Sequence, residues 1–154
     1  MSDLQKQRVY ESEYPVRNMT DDIKFDTVEQ VQDYVKAVQS SRWYKAIWPQ
    51  ADPLRVFGKL DASSAHYEWG GSISVPTAKR GGKWALREIV VLHEIAHHHG
   101  ISHGAEFTGS FLILLAKAVS AETARNLRDQ YLSRNVAITY PIDQALAHRV
   151  LGIA

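Results

Sequence analysis

The chain has 154 residues, a net charge of +1 and no cysteine. This length favours one domain with a modest core, spanning residues 1–154. The charge gives no overall field that would draw the chain to nucleic acid or a membrane surface, although a local basic patch stays open. The lack of cysteine excludes disulfides and thiolate ligands, so any zinc must be held by His, Asp or Glu.

The N-terminal residues 1–25 are polar and mixed in composition. They lack the apolar segment of a secretory signal, and no stretch of the chain approaches the ~20 apolar residues that span a bilayer. We therefore expect a cytoplasmic protein with no membrane partner. Residues 1–25 are a candidate for a loosely packed segment, with a short edge strand between Arg8 and Val16.

The first helix is predicted to begin at Asp26, with Glu29 placed three residues on, as a capping box requires. An apolar stripe at helical spacing supports it, made of Val28, Val31, Tyr34, Val35 and Val38. The aromatic cluster of Trp43, Tyr44 and Trp48 then predicts core packing in preference to a substrate-binding rim.

Three short segments with alternating polarity follow, at residues 54–60, 65–69 and 72–75. Gly70-Gly71 between the last two is typical of a tight hairpin turn. Strands in succession predict a small, mostly antiparallel sheet of about three to four strands.

The remaining segments predict helices. A buried helix is expected from about Trp84 to His99, after a basic loop that contains Arg80 and Lys83, and Gly100 should stop it in the left-handed conformation. Three further helices are expected: one at residues 105–119, one that follows Ser120 as its N-cap, and one from Pro141 to Val150. The predicted fold class is α+β, with the sheet packed on the first of these helices.

Residues 93–103 read HEIAHHHGISH. On a helix, His93 and His97 lie one turn apart on one face and can both reach one metal ion. Glu94, about 100° further round the helix, can reach a water on that ion. His103 supplies a third nitrogen and leaves a fourth position open. The pattern predicts a catalytic centre that holds one Zn²⁺ per chain, with Glu94 as general base.

Other polar residues near the motif are harder to assign. Glu106 could orient a ligand histidine, and a surface position on the next helix is an equal alternative. His98 and His99 are not expected to be ligands, because they lie off the face of the two ligand histidines. A hydrogen bond to the transition state could come from His66, Tyr67 or Tyr140, among which the sequence does not choose.

The motif HExxH, followed by His103-Gly104-x-Glu106-Phe107, resembles the SprT-like zinc metalloproteases and related small bacterial and phage HExxH metallohydrolases. The resemblance covers roughly residues 65–118. It implies a minimal zincin fold with an active-site helix, and a metallopeptidase that acts on a peptide or protein substrate. The association of that family with DNA leaves a nucleic-acid partner possible, but the net charge does not support one, and the chain lacks the cysteine zinc ribbon found in many members.

Three alternatives stay beside this interpretation. The spacing also matches the metzincin motif, but the only methionines, Met1 and Met19, precede it, so the methionine turn of that family is missing. The three histidines have the spacing of YbeY-type metal-dependent endoribonucleases, which carry glycine in place of Glu94. A metal-holding regulatory module without turnover is the third. The sequence leaves open the native metal, since three imidazoles also suit manganese, iron and nickel, and the oligomeric state.

Overall fold

The computed structural model describes residues 3–60, 62–68, 70–77 and 86–153. Within these residues the chain forms seven helices and a three-stranded sheet, which confirms the α+β class. The elements in chain order are α1 Lys6–Met19, α2 Val28–Ser40, α3 Arg42–Ile47, β1 Arg55–Lys59, β2 His66–Glu68, β3 Ser72–Pro76, α4 Glu88–His97, α5 Ala105–Ala118, α6 Ala121–Ser133 and α7 Gln144–Leu151.

The chain divides into two compact units. One unit runs from Asp22 to His98 and holds the sheet with α2, α3 and α4. The other combines the chain up to Asp21 with the chain from His99 onward, and the regular elements among its described residues are all helices. None of the helices in the described ranges is long and apolar enough to cross a membrane.

The sheet has the order β1-β3-β2 and is mixed, where the sequence predicted mostly antiparallel pairing. β2 and β3 form the expected antiparallel hairpin, and Gly70 and Gly71 between them have φ of 97° and 89°, which glycine adopts without strain. β1, however, pairs parallel with β3 on its other side. Strand spacing along the chain gives no signal for this order, and the result places fully buried β3 at the centre.

The N-cap of helix α2 lies one residue later than the sequence suggested. Thr27 is its N-cap, and the Thr27 side chain accepts a hydrogen bond from the main-chain N–H of Gln30. Asp26 lies outside the helix, where its main-chain N–H donates to Oε1 of Gln30. The capping position thus belongs to the threonine and not to Asp26, because the threonine hydroxyl reaches the first turn.

The aromatic cluster is divided between core and surface. Tyr44 is only 2% exposed, as core packing requires, and its ring centroid lies 5.0 Å from that of Trp48. Both side chains also border a cleft of about 1320 Å³ in the same unit, together with residues of α2 and β1. Core packing is therefore confirmed for Tyr44, while Trp48 stays half-buried at the cleft.

Helix α4 starts at Glu88, later than the predicted start near Trp84. Arg87 is extended, and residues 86–88 pair with residues 23–25. The N–H of Phe25 donates to the carbonyl of Leu86, and the N–H of Glu88 donates to the carbonyl of Ile23. This pairing holds the chain straight until residue 88. Trp84 and the loop cations Arg80 and Lys83 lie outside the described residues.

A carboxylate from elsewhere in the chain caps α4. Arg87 at the N-cap makes no side-chain cap bond. Instead, Oδ2 of Asp22 accepts from the main-chain N–H of Ile89 at 2.9 Å, and Oδ1 of Asp22 lies 2.6 Å from Nη2 of Arg87. A negative charge at the N-terminus of a helix also interacts favourably with the helix dipole. Asp22 therefore fixes the start of α4.

The N-terminal segment forms helix α1 where the sequence predicted a short strand. Its buried residues Val9, Ser12, Glu13 and Val16 recur at helical spacing, and this face packs on α6. Pro15 is tolerated inside the helix. The sequence shows no apolar stripe at helical spacing here, because two of the four buried positions are Ser and Glu.

The C-terminal helices follow the sequence predictions closely. α5 matches the predicted segment, and Ser120 caps α6 by accepting from the N–H of Thr123. The short last helix is capped by Asp143 rather than begun at Pro141. Val136–Tyr140 is irregular, with no strand pairing.

We predict that Asp22→Asn lowers the free energy of unfolding by about 3 kcal/mol, because it leaves the half-buried Arg87 guanidinium without its buried charge partner and weakens the helix cap. Urea unfolding followed by circular dichroism measures the change. Asp26→Asn, at an exposed position, is the matched control and should change stability by less than about 0.5 kcal/mol. Equal effects of the two substitutions would contradict the assignment.

The same carboxylate predicts an acid limit to stability. Burial alone raises the pKa of Asp22, but hydrogen bonds from the Arg87 side chain, the Ile89 main chain and Lys24 outweigh it, so that its pKa lies below the ordinary value. The stabilisation is therefore complete above the unfolded pKa of about 3.9 and is lost as pH falls through the lower, folded value. Asp22→Asn should flatten this part of the stability profile.

Candidate metal centre

Helix α4 carries the first two histidines on a mostly apolar, buried surface. Every residue from Glu88 to Ala96 is buried, including His93 at 2% exposure, and His97 is half-buried at the last turn. The ring centroids of His93 and His97 lie 5.0 Å apart. The i, i+4 spacing thus places two imidazoles side by side, as the sequence predicted.

The third histidine is placed by a tight turn after α4. Gly100 does not have the left-handed conformation that the sequence suggested; the residue with positive φ in this turn is Ser102, at 58°. Gly100 is required for another reason. A Cβ at position 100 would lie 2.3 Å from the main-chain N of Phe107 and 2.6 Å from its Cα. The absence of a side chain lets the turn pass against the start of α5.

The three predicted ligands come together. One ligand nitrogen from each of His93, His97 and His103 lies within 4.8 Å of the other two. For comparison, nitrogen atoms bound at about 2.0–2.1 Å to one tetrahedral zinc ion are roughly 3.4 Å apart. Three neutral imidazoles are a donor set that fits zinc and several other transition metals.

Glu94 is buried, at 7% exposure, beside the first ligand histidine. Its Oε1 accepts a hydrogen bond of 2.8 Å from the main-chain N–H of Tyr67 in β2. A buried carboxylate needs such donors. The bond fixes the orientation of the carboxylate and ties α4 to the edge strand of the sheet.

The edge strand beside α4 is β2 and not β3. Residues 72–75, which precede α4 in the chain, lie in β3, and β3 is the central strand. β2 has β3 on one side and contacts α4. The three residues of β2 are too few for periodicity to show that they form the edge strand.

The other residues considered from sequence occupy different environments. The hydroxyl oxygen of Tyr67 lies 2.9 Å from Nδ1 of His98, and Nε2 of His98 lies 2.9 Å from the carbonyl oxygen of Asp52. His98 is thus held outside the ligand cluster. His66 is exposed and lies 2.9 Å from the hydroxyl of Ser64. Of the three candidates for a transition-state hydrogen bond, Tyr67 is the one that contacts both Glu94 and a residue of the motif.

The carboxylate in contact with His103 is that of Asp3, a residue that no sequence pattern singles out. Oδ2 of Asp3 lies 2.7 Å from Nδ1 of His103, and Oδ1 accepts from the His103 main-chain N–H at 3.2 Å. Glu106, the candidate for such a role, is exposed in the first turn of α5. The two partners are separated by about a hundred residues of chain, a distance over which no spacing pattern operates.

Comparison with known protein families, curated proteins and solved structures finds no match to this chain. The candidate metal centre therefore rests on its own geometry: one nitrogen from each of three histidines lies close enough to the other two to share one ion, and a buried carboxylate lies next to the first histidine.

We predict that Gly100→Ala displaces the turn that carries His103. The new Cβ would overlap main-chain atoms of Phe107, so we expect a loss of about 3 kcal/mol in unfolding free energy together with weaker metal binding. Gly104→Ala is the matched control, since its Cβ would have no atom nearer than 3.8 Å, and it should cost only about 0.5 kcal/mol. Thermal unfolding and zinc titration measure both; equal tolerance at the two glycines would contradict the steric argument.

Proposed function

We propose that the protein is a zinc-dependent hydrolase, and specifically a metallopeptidase that cleaves peptide bonds in a peptide or protein substrate. The observation that carries the proposal is the cluster of His93, His97 and His103, with the buried carboxylate of Glu94 adjacent in the helix. A structural zinc site is usually closed by four protein ligands, whereas three ligands with an open position are typical of catalytic sites.

In this proposal each residue has a distinct task. The three histidines would hold the ion through one ring nitrogen each, in neutral form. When bound, zinc supplies Lewis acidity, which lowers the pKa of water towards ~7 and polarises a substrate carbonyl. Glu94 accepts the proton that the attacking water loses and delivers it to the leaving amine. The hydrogen bond from the Tyr67 main chain to Oε1 of Glu94 keeps the carboxylate oriented for this transfer.

The relationship to SprT-like minimal zincins is part of the proposal. It is supported by the motif HExxH, by the segment from His103 to Phe107 that carries the third ligand, and by a short edge strand, β2, next to the helix of the motif. The carboxylate at position 94 favours peptide hydrolysis over the YbeY-type endoribonuclease, which has no general base there. A regulatory module without turnover would have no chemical need for a buried carboxylate at this position.

We predict that the purified protein contains about one zinc ion per chain and that His97→Ala loses it, because two imidazoles and water hold zinc far more weakly than three imidazoles. Elemental analysis after exhaustive dialysis measures the content. His148→Ala, at a histidine outside the cluster, should keep the metal. A wild-type protein that takes up no metal, even after reconstitution, would exclude the centre.

We predict that Glu94→Gln keeps the zinc and lowers hydrolysis of an unstructured protein such as casein by at least ~10²-fold, because glutamine cannot accept the proton. As the matched control, Glu106→Gln makes the same glutamate-to-glutamine change at an exposed position and should leave activity within twofold of the wild-type value. Full activity in Glu94→Gln would refute the general-base role. Cleavage of RNA without cleavage of casein would favour the ribonuclease, and metal binding without either activity would favour the non-catalytic module.

A further inference from the structure

The main chain and side chain of His103 are both held by the first residues of the described chain. Asp3 contacts the ring at Nδ1 and the main-chain N–H. Nε2 of Gln5 donates to the His103 carbonyl at 2.8 Å, and Oε1 of Gln5 accepts from the N–H of Ala137 at 3.0 Å. Gln5 is only 9% exposed. Residues 3–5 therefore fix the ring, the backbone and the neighbouring segment of His103 at once.

Aromatic rings complete the enclosure. The ring centroids of Tyr10 and Phe107 each lie 5.0 Å from that of His103. His103 is 6% exposed as a result. Packing against these two rings thus restricts movement of the imidazole. The contact of Asp3 with Nδ1 leaves Nε2 as the nitrogen that faces away from the carboxylate.

His103 needs this support more than the other two candidate ligands do. His93 and His97 are carried by α4, whose main-chain hydrogen bonds fix their spacing. His103 instead lies in a turn, directly after Ser102 in the left-handed conformation. A ligand on a turn loses conformational freedom when it binds a metal, and a ring already held in place loses less.

We propose that residues 3–5 form a clamp on the third ligand, in which Asp3 is the positioning residue for the metal centre and Gln5 fixes the main chain of the turn. The inference rests on the proposed function for the metal itself. A carboxylate at Nδ1 keeps the proton on that nitrogen and presents Nε2 to the ion. Asp3 thus does for His103 what the sequence suggested for Glu106.

Zinc affinity tests the clamp directly. Competition with a chromophoric chelator should show that Asp3→Asn and Asp3→Ala bind zinc 10- to 100-fold more weakly than wild type, the usual effect of losing such a partner. Glu106→Gln is the matched control and should bind within twofold. The cobalt-substituted protein gives a second readout, because a displaced third imidazole changes the visible absorption of the ion, whereas a merely less stable fold does not.

A further measurement needs neither a variant nor a metal. In the metal-free wild-type protein, ¹⁵N chemical shifts of the His103 ring should show the proton on Nδ1 at neutral pH. A ring with its proton on Nε2, or unchanged zinc affinity in both Asp3 variants, overturns the clamp. An Nδ1-protonated ring in a protein that binds no zinc would show the Asp3 contact to be real but would remove the metal centre, and the proposed positioning role would fall with it.

Discussion

The burial of polar groups on one apolar helix is the constraint on which the rest of the structure depends. Helix α4 is buried along nearly its whole length, and yet it carries a histidine and two glutamates among its buried side chains. Each needs a compensating partner. Tyr34 donates its hydroxyl to Glu88, and the main chain of β2 donates to Glu94. Helix α2 and the sheet thus supply the hydrogen-bond donors for the two buried carboxylates of α4.

The ends of α4 are defined by residues outside it. At the start, the pairing of residues 23–25 with residues 86–88 delays the helix, and Asp22 then caps it. At the end, Gly100 lets the following turn approach the first turn of α5. Asp22 therefore sets the start of the helix, and the contact between Gly100 and Phe107 shapes the turn that follows its end.

The local features were predictable from sequence, and the long-range ones were not. The i, i+4 histidines, the Ser120 cap and the α5 segment follow from periods and capping rules that act within a few residues. The parallel β1–β3 pairing, the Asp22 cap of α4 and the Asp3 contact with His103 join positions far apart in the chain, and no local pattern encodes them. Helix α1 was missed for a different reason: polar residues occupy half of its buried face.

The close approach at Gly100 has a consequence for how this loop can vary. The turn leaves no room for a side chain at position 100, since main-chain atoms of Phe107 occupy the space that a Cβ would need. Substitution in this turn is therefore restricted at position 100, whereas an exposed position such as Ile101, which is 62% exposed, can vary more freely.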